Sequence, residues 1–234
     1  MNSNKPVIGI VGKPNLFSPP LWKYMNISDS FRYALVTNGA VAMGIIPTNK
    51  TLVFNREDDF DQTKLTDEEL NDLHQVIDLC DGIILAGGLS SASYEIEIAK
   101  HAIKNDIPLL GVCAGFNNII RAAGGDVFEL KEDHIHNQED KKYVHSNKIL
   151  KDTLLFDIVE KEEIEVNSIH SWFAKGDGIK NLEISAYSFD GYVEAVELKT
   201  NKFLLGVKWH PELLIEDELM ENIIKRFIDA CKKI

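Results

Sequence analysis

The chain is 234 residues long and short of three things: cysteine, positive charge and long apolar runs. Its three cysteines, Cys80, Cys113 and Cys231, are odd in number and lack metal-type spacing, which argues against a disulfide framework and fits a reducing compartment. Lysine and arginine total 25 against 37 aspartates and glutamates, a formal charge of −12. That balance argues against nucleic acid or an anionic membrane as a partner, since both need a basic footprint. No apolar run approaches the ~18 residues of a membrane span, and Met1 to Lys5 lead into no secretory h-region. A cytoplasmic protein is expected, with no nucleic acid and no membrane. Apolar residues at 44% still supply a core that folds without disulfides, as one domain over 1–234.

What is present alternates. Residues 6–11, Pro-Val-Ile-Gly-Ile-Val, form a continuous apolar run of the kind that makes a strand buried on both faces. The stretch from Gly12 to Asn26, with Pro19-Pro20, Trp22 and Tyr24, reads as irregular. A helix is predicted over 28–38, stopped by Gly39, and a strand over 41–46, closed by Pro47. Lys50 to Lys64 reads as an acidic surface excursion, with Glu57-Asp58-Asp59-Phe60-Asp61 solvated. Thr66-Asp67-Glu68-Glu69 matches a capping box, and Leu70, Leu73, Val76, Ile77 and Cys80 follow at helical spacing. The pattern then repeats as a strand over 82–86, the Gly87-Gly88 turn, a helix over 94–104, a strand over 108–112 and a helix over 114–123. Such alternation predicts right-handed βαβ units and a parallel sheet. Beyond Gly125, runs at 164–166, 182–188, 192–198 and 203–207 read as antiparallel hairpins, and 215–232 as a closing amphipathic helix. The predicted fold is α/β: a mostly parallel central sheet flanked by helices, with added antiparallel hairpins.

The chemistry concentrates in Gly111-Val112-Cys113-Ala114-Gly115, where an apolar strand runs straight into helical spacing. A nucleophile between two glycines at such a turn sits on a sharp elbow. Its sulfur meets a helix N-terminus, which favours thiolate, and the following backbone N–H points where an oxyanion forms. The alternative is a small buried residue at a strand end. Trp209-His210-Pro211-Glu212 leaves another predicted strand; Pro211 restricts His210 to extended geometry, which puts Glu212 on the same side as the imidazole. Base and orienting carboxylate complete the logic of a triad, the alternative being a surface His-Pro-Glu turn. The Gly87-Gly88 pair follows a strand at the same sheet edge and is either an oxyanion donor or a plain turn.

Taken in order, these pieces resemble the class I glutamine amidotransferase-like superfamily and, more narrowly, the γ-glutamyl-γ-aminobutyrate hydrolase (peptidase C26) family. The resemblance runs from Lys5-Pro6-Val7-Ile8-Gly9-Ile10 through Gly87-Gly88, the cysteine elbow, Gly124-Gly125, Val166-Asn167-Ser168-Ile169-His170 and Asp190-Gly191 with Glu194-Ala195-Val196-Glu197. It ends at Gly206-Val207-Lys208-Trp209-His210-Pro211-Glu212. It implies a flavodoxin-like fold, Cys113 as nucleophile, His210 as general base, Glu212 as its orienter, and the amides of Gly88 and Ala114 as the oxyanion hole. Gly87, Asn117, His170 and Trp172 would line the substrate. Four positions depart from the family's usual pattern: Ala114 stands where arginine is common, Asn117 where glutamine is, and Ser171-Trp172 where His-Gln is. Ala114 argues against glyoxalase- or chaperone-like cysteine elbows, and the close spacing of His210 and Glu212 against a dienelactone-hydrolase type.

His134, His136 and His145 lie among Lys131, Glu132, Asp133, Gln138, Glu139, Asp140, Lys141 and Lys142, which reads as a solvated loop, so no metal is expected. No cofactor is expected either. His74 and His101 read as helix-surface residues, Cys80 and Cys231 as core or semi-buried. The expected function is a cysteine hydrolase that cleaves a γ-glutamyl amide through a thioester. A glutaminase subunit with a separate synthetase partner and a catalytically silent γ-glutamyl-binding protein are the alternatives. A homodimer is left open.

Overall fold

The computed structural model describes residues 5–17, 22–52, 64–88, 92–130 and 135–233. In chain order the elements of the first half are β1 (Val7–Val11), β2 (Lys13–Phe17), β3 (Trp22–Asn26), α1 (Asp29–Thr37), β4 (Val41–Ile45), α2 (Asp67–Ile77), β5 (Gly82–Leu85), α3 (Ser93–Lys104), β6 (Leu109–Val112) and α4 (Ala114–Ala122). The second half holds β7 (Phe128–Glu129), β8 (His145–Ile149), α5 (Leu154–Val159), β9 (Glu163–Val166), β10 (Trp172–Phe173), β11 (Glu183–Ser188), β12 (Val193–Glu197), β13 (Leu204–Val207) and α6 (Glu218–Cys231).

One nine-stranded sheet runs β4-β1-β5-β6-β13-β12-β11-β8-β9. Its first five strands pair in parallel; from β13 onward the pairing is antiparallel. Both faces of the parallel half are covered. Along β5, Ile84 packs into one core and Ile83 and Leu85 into the other; along β6, Leu110 and Val112 oppose Leu109 in the same way. The period-2 pleat thus turns a continuous apolar run into two hydrophobic layers. Phe227, Ile223 and Ile224 of α6 fill one layer, Ile98 of α3 and Phe116 and Ile119 of α4 the other. The Thr66 capping box forms as its letters predict: Thr66 N donates to Glu69 Oε2 at 2.8 Å and Glu69 N to Thr66 Oγ1 at 3.3 Å.

The structure corrects three local readings. Gly12 to Asn26 is not irregular: Lys13 to Phe17 pair antiparallel with Asn26 to Trp22 as a hairpin outside the main sheet, where Pro14 interrupts no central ladder. The strand β8 and the helix α5 appear where no regular element was expected. The predicted solvated loop is also only half right: Glu139 to Lys142 are exposed, but His136 and His145 are buried. Their rings pack against Phe173, Phe189 and each other, and His136 Nε2 meets Asp190 at 3.1 Å. His134, Lys131, Glu132, Asp133 and the 57–61 acidic run lie outside the described residues. Among the described residues no helix is long and apolar enough to cross a membrane.

Candidate active site

The strand β6 ends at Val112, and Cys113 turns the chain directly into α4 with φ 53° and ψ −101°. A side chain held in that sparsely populated region is strained, and strain of this kind collects at functional sites. Glycine makes the turn achievable: a Cβ on Gly115 would collide with the Leu85 carbonyl, and one on Gly111 would lie 2.8 Å from the Gly115 oxygen. The Cys113 amide donates to Val207 O at 2.9 Å, which ties the elbow to the end of β13.

Beyond β13 the chain reaches His210, clamped from both sides by Asn167. His210 N donates to Asn167 Oδ1 at 2.7 Å, and Asn167 Nδ2 donates to His210 O at 2.9 Å. His210 Nδ1 is 2.8 Å from Glu212 Oε1. The carboxylate reaches the ring by a 3-10 turn over Pro211–Leu213, not by the extended chain expected from Pro211. With Nδ1 held there, Nε2 is the nitrogen left for the thiol, and the charge of the imidazole acts on Cys113. Gly87 packs against both: a Cβ there would collide with His210 Cε1 and stand 3.4 Å from Cys113 Cβ.

Electrostatics follow from that contact. Burial pushes the Cys113 thiol up, but the charge and hydrogen bond of His210, then Lys208 and Lys13, outweigh it and bring the thiol down to about 7. Burial opposes the charged imidazole too, yet Glu212 and Cys113 hold His210 well above its ordinary value. The pair is arranged as thiolate and imidazolium. The other cysteines behave oppositely: burial pushes Cys80 up to about 11 and Cys231 further up. Both are buried, as core cysteines should be.

Of the remaining expected positions, Gly88 carries the Lys13 side chain above it, with Cδ at 2.6 Å from where a Cβ would be. Ala114 is the buried first residue of α4. Asn117 is buried and accepts from Lys208 Nζ at 2.9 Å. Cys113 Sγ lies 3.9 Å from Ile169 O, which brings the segment before His170 against the sulfur. The His170 side chain itself is only 2% exposed and faces Glu194 Oε1 at 3.7 Å. Trp172 is half-buried beneath the Arg121 guanidinium, 5.2 Å from ring centroid to Cζ. His74 and His101 stack at 3.9 Å between α2 and α3, partly covered rather than fully at the surface.

Several residues near the thiol escaped sequence reasoning. Lys13 Nζ lies 2.8 and 2.9 Å from the two oxygens of buried Glu95, and Asn118 and then Arg121 extend that network to Trp172. Lys208 and Glu194 are buried in neighbouring strand positions, Lys208 N donating to Glu194 O at 2.8 Å. The available signal was a charged residue inside each apolar run. His136, His170 and Glu194 bring ligand-type atoms within 4.8 Å of one another. The Lys208 ammonium, however, acts on both His170 and Glu194 and opposes a dication at that position.

Comparison with known proteins gives a family and a fold. The family model for Peptidase C26 matches residues 90–212, just over half of the chain. Among curated relatives, a CTP synthase from Staphylococcus aureus (strain NCTC 8325 / PS 47) is 30% identical over 204 residues, covering 74% of this chain and 38% of that one. A CTP synthase from Staphylococcus carnosus (strain TM300) is 26% identical over 204 residues, covering 74% and 37%. The chain therefore spans a little over a third of the length of these relatives. Among solved structures, the glutaminase domain of Trypanosoma brucei CTPS with bound acivicin superposes with a TM-score of 0.66 at 17% identity, covering 97% of this chain and 93% of that one. A putative GMP synthase subunit from Thermoplasma acidophilum gives 0.64 at 16%, covering 97% and 94%. The fold, a large mixed sheet with a parallel core flanked by helices, is that of the class I glutamine amidotransferases.

Proposed function

The chain belongs to the Peptidase C26 family, and from that premise we propose that it hydrolyses γ-glutamyl amides through a thioester on Cys113. The observation that carries the reading is the His210 ring, held by Glu212 at 2.8 Å, standing with the strained Cys113 elbow against the same Gly87. The thiolate attacks the amide carbonyl carbon, whose π electrons move onto oxygen. The amides of Gly88 and Ala114 receive that oxyanion. His210 Nε2–H protonates the leaving amine as the C–N bond breaks. The same nitrogen then takes a proton from water, hydroxide adds to the thioester, and the departing thiolate restores the site. Glu212 holds the ring and its charge throughout.

Asn117, His170 and Trp172 stand where the resemblance puts substrate contacts. The half-buried indole of Trp172, backed by Arg121, offers an apolar face to an organic amine. The chain, acting as one domain over 1–234, is expected to turn over γ-glutamyl amides of organic amines faster than glutamine. A panel of such amides beside glutamine, scored for free glutamate with wild type and Cys113→Ala, tests this. A second reading draws on the curated relatives, which are CTP synthases more than twice as long as this chain. It makes the chain a glutaminase that passes ammonia to a separate synthetase. Turnover of glutamine alone, rising on addition of a co-purifying partner, would select it. Tight binding of a γ-glutamyl compound without turnover would select a silent binding protein instead.

A further inference from the structure

Lys208 is the residue after Val207, whose carbonyl accepts the Cys113 amide, and it is 1% exposed. An ammonium is costly to bury unless an anion sits against it. Among the described residues no carboxylate lies within ion-pair distance. Nζ donates to Asn117 Oδ1 at 2.9 Å and lies 5.6 Å from the Phe116 ring centroid. Asn117 is one methylene shorter than the glutamine the family resemblance leads one to expect, and the lysine tip ends at its amide.

The charges that act on Lys208 are those of Cys113, Glu194 and Arg121. Arg121, on α4, is a like charge and cannot offset the burial. Glu194, on β12, lies beyond ion-pair reach of Nζ: its Oε2 accepts from Asn147 Nδ2 at 3.3 Å and its Oε1 faces His170 Nε2 at 3.7 Å. Of the two anions, the Cys113 thiolate acts on the ammonium more strongly than Glu194 does. The groups facing that thiolate are His210 and Lys208 from the end of β13, Lys13 from the β2–β3 hairpin and Glu194 from β12, with Glu212 behind His210. His170, from the loop after β9, is held well below its ordinary value by burial and then by Lys208, and stays neutral.

We propose that Lys208, fixed by Asn117, is a positioning residue for the nucleophile, a second buried cation that keeps Cys113 ionised so that the thiolate does not depend on His210 alone. The inference rests on Cys113 being the nucleophile and is independent of which amide is cleaved.

The test is the pH dependence of iodoacetamide labelling, mapped residue by residue by mass spectrometry, and it needs no substrate. Wild-type Cys113 is expected to label with a midpoint near 7. In Lys208→Met and Lys208→Gln the midpoint should rise by about one pH unit, making labelling at pH 6 roughly tenfold slower. Lys208→Arg should stay within about twofold of wild type, because it restores the charge. A folded neutral variant with the wild-type midpoint would overturn the proposal. The reciprocal measurement uses Cys113→Ser, which keeps the bulk of the side chain and removes the thiolate. Carbon-13 NMR of labelled lysine should then show Lys208 deprotonating at lower pH than in wild type, and an unmoved titration would equally overturn it. If Cys80 or Cys231 labels before Cys113 in wild type, the nucleophile itself is misassigned and this inference falls with it. A fast wild-type Cys113 and unmoved variants remove the lysine's role alone.

Discussion

In the parallel half of the sheet, every side chain of β5 and β6 is aliphatic or absent: Gly82-Ile83-Ile84-Leu85 and Leu109-Leu110-Gly111-Val112, all buried. In the antiparallel half, β8 buries His145 and Asn147, β11 buries Ser185 and Ser188, and β12 buries Glu194 and Glu197. The two halves divide the labour. A dry aliphatic block, packed on both faces, holds the backbone rigid enough to keep Cys113 at a positive φ. The cations that set the field around that sulfur, His210 and Lys208, leave the end of β13 where the two halves meet, and the polar half adds buried Glu194 and His170 beside them, where the low dielectric makes each charge count. Rigidity comes from the parallel side of β13, and the charges gather where that side meets the polar one, with Lys13 reaching in from the hairpin.

The sharpest way to break the comparison is to remove the group on which both halves converge. Cys113→Ala should leave the fold intact and reduce amide turnover by roughly four orders of magnitude or more. Glutamate release beside a thermal melt checks it; retained turnover would detach the elbow from the chemistry. His210→Asn should lose nearly as much, about three to four orders, and Glu212→Gln about one to two, since an orienting group contributes less than the base it orients. If His210→Asn keeps near-normal turnover, the base lies elsewhere and His170 is the first residue to test. The wild-type rate should rise with pH as the thiol ionises through about 7. It should hold until His210, raised well above its ordinary value, gives up its proton. A profile that falls as pH rises through 7 would reverse the assigned charges.

Two alanine substitutions separate rigidity from chemistry. On Gly115 a Cβ meets the Leu85 backbone carbonyl, which cannot move without breaking the β5–β6 pairing. Gly115→Ala should therefore destabilise the protein by about 1–3 kcal/mol, read from denaturant midpoints. On Gly87 the Cβ meets the His210 ring, a side chain that can swing aside. Gly87→Ala should melt close to wild type while losing roughly ten- to a hundredfold in turnover, because the imidazole leaves the sulfur. Equal effects on melting would show that the glycine pair serves packing only.

The same division explains what the sequence made legible. Strands buried on both faces read as continuous apolar runs, so β1, β5, β6 and β13 were found within a residue or two, and so was the strand-to-helix turn at Cys113. His210 and Glu212 lie close enough in the chain for their contact to be inferred, although the turn between them was not. The antiparallel half is harder because its buried positions are polar: His145 and Asn147 make β8 look like a surface loop. The helix α5 spans less than two turns, too short for a 3.6-residue period to register, and its Thr153 cap is its clearest mark. Lys13 and Glu95 are 82 positions apart, and no local pattern announces that a hairpin lysine will reach a buried helix carboxylate. Long-range polar pairs of this kind, Lys208 with Asn117 among them, are written in the topology rather than in any window of the chain.

The smallest expected effect lies farthest from the sulfur and serves as the control for the rest. Thr66 caps α2, on the outer layer beside β4 and β5, through a reciprocal pair of bonds with Glu69. Glu69 also receives the Lys50 amide at 2.6 Å, so the cap joins the helix start to the loop after β4. Thr66→Ala removes the side-chain acceptor but leaves the carboxylate's bonds to the Thr66 and Lys50 amides in place. The cost should be about 1 kcal/mol of global stability. The labelling midpoint of Cys113 should not move, because none of the charges that set it belongs to α2. A shifted midpoint would mean that packing strain on the parallel side reaches the nucleophile's ionisation, and the separation of a rigid sheet from the charges gathered at the end of β13 would fail.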